Sequence, residues 1–330
     1  MPAFLLKRLL NAAGVMLAVA FLAFLTFRFV GDPVELMLNE QASQQQRDEL
    51  RVRLGLDKGF VLQYATFVGN AARGDFGISY RNQQDVFTLI SERFPATFEL
   101  VLVATFLSLA VGVPLGVYTA IRRDSVLAKT LQFVSVLGVS LPSFALGILF
   151  ILIFSVTLQW LPAFGRGEVV QIGWWSTGFL TPSGRLALIL PGITLSLFQI
   201  TLVMRLVRAE MLETMRTDFI RFARARGLPS RAVHFGHALR NCLMPVITVT
   251  GLQIGNLIAF ALVTETVFQW PGMGLLFVQA VTFVDIPVMA AYLMVVSFIF
   301  VSLNTLVDLT YAWVDPRLRE DALSGGANAR

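Results

Sequence analysis

Residues 186–207 read LALILPGITLSLFQITLVMRLV, an apolar run broken by one charge, Arg205. A helix needs about 20 apolar residues to cross the hydrocarbon core of a bilayer. This run meets that length, and Leu and Phe on every face suit lipid rather than a water-facing surface. The chain then changes character at once. From Arg208 to Asn241 it is polar and basic, carrying Arg208, Arg216, Arg221, Arg224, Arg226, Arg231 and Arg240. An apolar run that opens into a short basic segment reads as a membrane span with its cytoplasmic end marked.

Five further stretches qualify as spans: residues 9–30, 98–121, 131–158, 243–263 and 288–314. Composition agrees. The chain is 56% hydrophobic and 14% charged, with 28 Phe, where a soluble domain carries about 25% charged residues. Mean hydropathy is +0.71. The sequence therefore predicts an all-α integral membrane protein with six transmembrane helices. The first run follows Lys7 and Arg8 and contains the small-x-small pattern Ala18-Val19-Ala20. It continues too far for a signal-peptide h-region and reads as a retained signal anchor. Pro114, Pro142 and Gly147 fall inside spans, where neighbouring helices can satisfy the freed backbone groups.

The short loops set the predicted orientation. Arg122, Arg123 and Lys129 lie between spans two and three, and Arg317 and Arg319 follow span six. The loop between spans five and six holds Glu265 and Asp285 and no Lys or Arg. Basic loops face the cytoplasm, so both termini are expected there. Trp160, Trp174, Trp175 and Trp270 then fall on the outer side, where an aromatic belt is expected at the headgroups. The net charge of +5 resides in segments between apolar runs, and no nucleic-acid partner is expected. The single cysteine, Cys242, excludes an intrachain disulfide. His234 and His237 have no third ligand nearby in sequence, so no metal site is expected.

Two segments outside the spans carry structure. In the outer segment, Ser43 and Gln46 have the spacing of a capping box for a helix to about residue 54. A second apolar-periodic piece runs over 60–72 and ends at Gly74-Asp75-Phe76-Gly77. The basic loop after span four is long for a structureless connection. Residues 209–226 are helix formers without Pro or Gly. Gly227 suits a helix C′ position, and Ser230 is a candidate cap for a second helix. The pattern predicts two helices meeting at Gly227 in a compact basic knob. Such a knob is either a solvated, lipid-facing charge cluster or a docking surface for a cytoplasmic partner.

Ala223-Arg224-Ala225-Arg226-Gly227-Leu228, followed by His237-Ala238-Leu239-Arg240-Asn241, resembles the coupling loop of ABC importer permeases, and most closely the peptide-type branch (dipeptide, oligopeptide, glutathione and nickel importers). Further motifs agree in order along nearly the whole chain. They are Gly31-Asp32-Pro33, Gly74-Asp75-Phe76-Gly77 with Ser79, Arg93-Phe94-Pro95-Ala96-Thr97, and Leu141-Pro142-Ser143-Phe144. Glu265-Thr266-Val267-Phe268, Trp270-Pro271-Gly272-Met273-Gly274, Asn304, Asp308 and Asp315-Pro316-Arg317 complete the set. The long outer segment and terminal Asp-Pro-Arg resemble the first of the two permeases such systems use. Arg221-Phe222-Ala223 stands where the general importer loop has Glu-Ala-Ala, a departure the peptide branch is similar to.

The resemblance implies a type I ABC importer permease (MetI-like) fold. It also implies an assembly with a second homologous permease, two ABC ATPases and an extracytoplasmic substrate-binding protein in a bacterial inner membrane. The implied division is an N-terminal transmembrane helix at 1–30, an extracytoplasmic segment at 31–97, a permease core at 98–314 with its coupling loop at 208–242, and a cytoplasmic tail at 315–330. The sequence has no G-x-x-x-x-G-K-[ST] loop, so no cofactor is expected in this chain, ATP and Mg are expected on the partner ATPases, and no catalytic residue is assigned. The coupling residues are expected to be Arg221, Ala223, Arg224, Ala225, Arg226, Gly227, Arg231, His237, Arg240 and Asn241.

Intramembrane polar groups are candidates for the translocation path: Gln199, Gln253, Asn256 and Asp308. Asp308 has an alternative role as the ion-pair partner of Arg205 or of a partner-subunit cation. Glu265, Trp270, Pro271 and Gly272 form either a re-entrant plug or an interfacial turn. Gly251, Gly255 and Ala259 make a small-residue stripe suited to helix packing. The contrasting functional class is an ion-gradient-driven secondary transporter, for which internal repeats and mid-membrane helix breaks are the usual signs; no internal repeat is evident. Peptide, glutathione, nickel-chelate and oligosaccharide substrates all remain compatible with these residues.

Overall fold

Among the described residues, five helices are long and apolar enough to cross a membrane: Leu6–Thr26, Val86–Ile121, Pro182–Thr214, Ala232–Val267 and Ile286–Val307. A computed structural model describes residues 2–29, 34, 43–53 and 57–314. The predicted motifs at 31–33 and 315–317 lie outside the described residues. In chain order the helices are α1 (Pro2–Phe29), α2 (Gln44–Arg53), α3 (Phe60–Ala71), α4 (Val86–Ile121), α5 (Val126–Ser140), α6 (Ser143–Phe150), α7 (Pro182–Thr214), α8 (Asp218–Ala225), α9 (Leu239–Val267), α10 (Met273–Thr282) and α11 (Ile286–Val314).

The third predicted span is not one helix. It breaks at Leu141-Pro142 into α5 and α6, and α6 continues as a π-helical stretch over Ile151–Thr157. Pro142 has φ −59° and ψ 135°, an extended conformation that ends α5 and opens α6. Two other spans begin earlier than the hydropathy suggests. The second starts at Val86, where Asp85 Oδ2 accepts from the Thr88 N–H at 2.8 Å, a side-chain cap. The fifth follows directly from the π-helical stretch Ala232–Ala238. The all-α expectation also misses a hairpin, β1 (Val170–Ile172) against β2 (Trp175–Thr177), antiparallel in the register Val170↔Thr177, Gln171↔Ser176 and Ile172↔Trp175.

The chain forms two compact units, Met1–Phe94 with Gly272–Arg330, and Pro95–Pro271. In the first unit α1 packs along α11, and α3 packs on α1. Ala20, Ala23, Ala71 and Ala290 are buried at these contacts, and the Tyr64 hydroxyl donates to the Leu17 carbonyl at 2.7 Å. The predicted capping box is present. The Ser43 N–H donates to Gln46 Oε1 and the Gln46 N–H to Ser43 Oγ, at 2.9 and 3.3 Å. A second anchor in this unit is Asp285, which is buried. Its carboxylate accepts from the Ser79 hydroxyl and from the Tyr80 and Arg81 N–H groups, the latter at 3.1 and 3.4 Å. Asp285 follows Val284, whose φ of +55° is a strained conformation for a β-branched residue. Three hydrogen bonds to Asp285 hold that turn in place.

In the second unit α7 packs between α4, α6 and α9. Gly112 and Gly116 on α4 bring the α7 backbone close. A Cβ at Gly116 would meet Val207 Cβ at 2.6 Å and the Met204 carbonyl at 2.8 Å. These two glycines thus do what the sequence reading expected of the stripe on α9, of which Gly255 is buried.

Candidate coupling knob and polar cavity

The predicted helical run over 209–226 is divided. Helix α7 extends to Thr214, well past the apolar run, and residues 215–217 turn the chain into the short helix α8. Ile220 and Ala223 on α8 are buried against Val233, Ala238 and Cys242, and join a core that includes Val117, Val203 and Val207. The knob is therefore bolted to α4, α7 and α9.

Helix α8 ends as the sequence predicts. Gly227 has φ +79°, the Gly227 N–H donates to the Arg224 carbonyl at 2.9 Å, and the Leu228 N–H donates to the Ala223 carbonyl at 3.4 Å. This 6→1 and 5→2 pair is a Schellman motif, which places its C′ residue in the left-handed region. The next helix begins one residue earlier than the proposed Ser230 cap implies. The Val233 N–H already donates to the Pro229 carbonyl at 3.1 Å, so Ser230 stands inside the first turn.

Of the ten predicted coupling residues, Ala223 is buried and the other nine are exposed. Arg221 pairs with Asp218 at 3.1 Å, but at 74% and 94% exposure such a pair contributes little. The charge pattern did not reveal Phe219 and Phe222, which stand 44% and 63% exposed on α8. Arg226 lies over the Phe222 ring at 5.6 Å. The bare face of the knob is thus aromatic and cationic together, the residue types enriched in protein interfaces. Their i, i+3 spacing, one residue out of step with the Ile220/Ala223 pair and so about 100° round the helix, was the available signal.

The path candidates divide into three groups. Gln199, Gln253 and Asn256 come together, with Leu141, Ser143 and Thr194, around one cavity of about 420 Å³ in the second unit. The helix break at Leu141-Pro142 helps to line it. Asn256 Nδ2 donates to Gln253 Oε1. Gln199 is 1% exposed, and its Nε2 has no hydrogen-bond acceptor within the described residues.

Glu265 and Trp270 do not line this cavity. Both are fully buried. Glu265 Oε1 accepts from the Thr97 hydroxyl at 2.6 Å, and the Trp270 indole N–H donates to the Ala96 carbonyl at 3.0 Å. Trp270 is therefore removed from the predicted aromatic belt, because its N–H finds a carbonyl partner in the core. Trp160 and Trp174 remain exposed. Gly272 is the extended N-cap of α10, and Pro271 precedes it. Asp308 lies on α11, and its side chain is outside the described residues.

An ion pair absent from the sequence reading stands near Trp270. Arg166 Nη2 meets Glu99 Oε2 at 2.7 Å, with side chains 7% and 1% exposed. Arg166 also donates to the Ser176 hydroxyl and carbonyl at 2.8 and 2.7 Å, which ties the β-hairpin to α4.

Comparison with known proteins places this arrangement. Residues 112–320 match the family described as binding-protein-dependent transport system inner membrane component, and residues 1–101 match its N-terminal companion. The chain belongs to this family of inner-membrane transport components. It is 40% identical to a putative peptide transport system permease protein of Brucella abortus (strain 2308), over 97% of this chain and 100% of that one. It is 38% identical to the di/tripeptide transport system permease protein of Pseudomonas aeruginosa (strain UCBPP-PA14), over 97% and 99%. The dipeptide transport system permease protein of Alkalihalophilus pseudofirmus is 36% identical over 97% and 100%. The fold is similar to that of a chain of the MetNI methionine ABC transporter in an inward-facing conformation, with a TM-score of 0.53 and 17% identity over 69% of this chain and 96% of that one.

Proposed function

We propose that this permease subunit forms half of the path by which an ATP-driven importer takes up peptides or similar small solutes. The observation that carries the reading is the knob. A short helix with a bare aromatic and cationic face is locked by a Schellman turn and packed through Ile220 and Ala223 onto three membrane helices. A force applied at α8 is transmitted to α4, α7 and α9, because a close-packed core moves as a body.

The partners of this reading are two ABC ATPases docked at the knob, a second homologous permease completing the path, and an extracytoplasmic protein that delivers substrate. ATP and Mg belong to the ATPases. Both termini and residues 208–242 face the cytoplasm of a bacterial cell, residues 31–97 face outward, and 98–314 form the permease core. The peptide-transport names of relatives matched along nearly the full chain support the substrate class.

The test uses membrane vesicles holding the permease pair, the ATPases and the loaded binding protein. Peptide uptake is expected to need ATP and to persist when an ionophore collapses the ion gradients. Uptake abolished by the ionophore and indifferent to ATP would instead identify a secondary transporter.

A further inference from the structure

The cavity between α5, α6, α7 and α9 has a specific chemical character. Among the described residues its lining holds no Asp, Glu, Lys, Arg or His, and the polar groups are the Gln199, Gln253 and Asn256 carboxamides with the Thr194 and Ser143 hydroxyls. Its volume of about 420 Å³ falls in the ordinary range for small-molecule sites. Exposed Asn256 among the lining residues leaves it open on one side.

The hydrogen bonds already made decide what is left to offer. Asn256 Nδ2 gives one of its two N–H donors to Gln253 Oε1, so Asn256 presents its Oδ1 acceptor and one remaining N–H, and Gln253 its Nε2 donors. The Thr194 hydroxyl donates to the Leu190 carbonyl at 2.8 Å and can only accept from a ligand. Gln199 is 1% exposed with its Nε2 buried, so it underlies the wall and leaves the ligand-facing groups to Gln253 and Asn256. The cavity thus sets neutral donors and acceptors side by side in an apolar wall.

We propose that this cavity binds the main-chain amide of a peptide in transit. The peptide C=O accepts from Gln253 Nε2, and the peptide N–H donates to Asn256 Oδ1. The inference rests on the peptide-uptake reading above and adds what the path recognises. A neutral amide finds partners here, whereas a charged group would be desolvated without a counter-charge. The charged termini of a short peptide therefore stay at the open side. Phe198, Phe260 and Leu141 offer only apolar contact, so side-chain identity goes largely unread.

The experiment measures uptake by the complete importer in proteoliposomes, at saturating loaded binding protein. The probes are trialanine and trialanine N-methylated at its central amide, which lacks that N–H. In the wild type trialanine is expected to enter faster than the methylated form. Asn256→Leu is expected to shrink that ratio by about threefold to tenfold, the worth of one neutral hydrogen bond. Any selectivity of the binding protein is common to both permeases and cancels in the comparison. Gln253→Leu and the more nearly isosteric Gln253→Met are expected to slow both probes by a similar factor. Membrane level and recovery of the partner subunits check that each variant folds and assembles.

A ratio and rates unchanged in correctly assembled variants would overturn the inference while leaving peptide uptake intact. Variants that lose the partner permease, with the ratio unchanged in the complexes that remain, would also overturn it and make the cavity a subunit-packing surface. A wild type that takes up no peptide at all would sink the peptide-uptake reading and this inference with it.

Discussion

Arg166→Ala is expected to destabilise the protein by about 3–5 kcal/mol, the cost of leaving one member of a buried ion pair alone. Glu99 is 1% exposed, and its Oε2 takes the 2.7 Å contact from Arg166 and a long one, 3.4 Å, from the Gly178 N–H. Without the guanidinium, that carboxylate stays in the core uncompensated. The hairpin also loses the two bonds that Arg166 makes to Ser176. Glu99→Ala is expected to do comparable damage from the other side.

The double change Glu99→Met with Arg166→Met should recover most of the loss. Replacing a buried pair by apolar groups of similar volume is often neutral or better. This pair is also incompletely satisfied, since Glu99 Oε1 and Arg166 Nε make no hydrogen bond within the described residues. Thermal unfolding in mild detergent measures all four proteins. Single and double variants that lose stability equally would contradict the account that the cost lies in leaving one charge of a buried pair alone.

The second large effect concerns Gly227 and is functional. A Cβ there would meet nothing within 4 Å, so any penalty comes from the backbone at φ +79°. Asn visits the left-handed region readily, Ala does so at about 1 kcal/mol, and a β-branched Val at about 2 kcal/mol or more. The expected order of substrate-stimulated ATP hydrolysis by the assembled importer is Gly227→Asn near wild type, Gly227→Ala reduced, and Gly227→Val lowest, by about tenfold or more. Asn and Val are alike in size, so a steric role would treat them alike. Equal activity in the Asn and Val variants would show that the Schellman turn is not what transmits force at the knob.

How much of this was legible from residues alone depended on the range of the interactions. Apolar length gave the spans, and the Ser43/Gln46 box and Gly227 gave two termini correctly, because each is a local backbone requirement written into neighbouring residues. The break at Pro142 was equally local, but hydropathy averages over it, and one span became two helices. Trp270 was misplaced because its indole N–H finds the Ala96 carbonyl 174 residues away. Glu99 with Arg166, and Asp285 with Ser79, escaped notice for the same reason: each half is an ordinary polar residue near a span end, and only the fold pairs them. The three path amides were nominated for lying inside spans. Their convergence on one cavity needed the packing of α7 against α9, which periodicity does not specify.

The most direct measurement of the central claim is a cross-link from the knob. Cys242 is the chain's single cysteine and is buried; Cys242→Ala removes the native thiol at modest cost. On that background Phe222→Cys is placed on the bare face of α8, and Trp174→Cys on the turn of the β-hairpin serves as control. In membranes containing the whole importer, a short thiol cross-linker is expected to join the first to an ATPase subunit and the second to none. Absence of the ATPase adduct from Phe222→Cys, or an equal yield from Trp174→Cys, would contradict the assignment of the knob as the point where ATP hydrolysis meets the membrane helices.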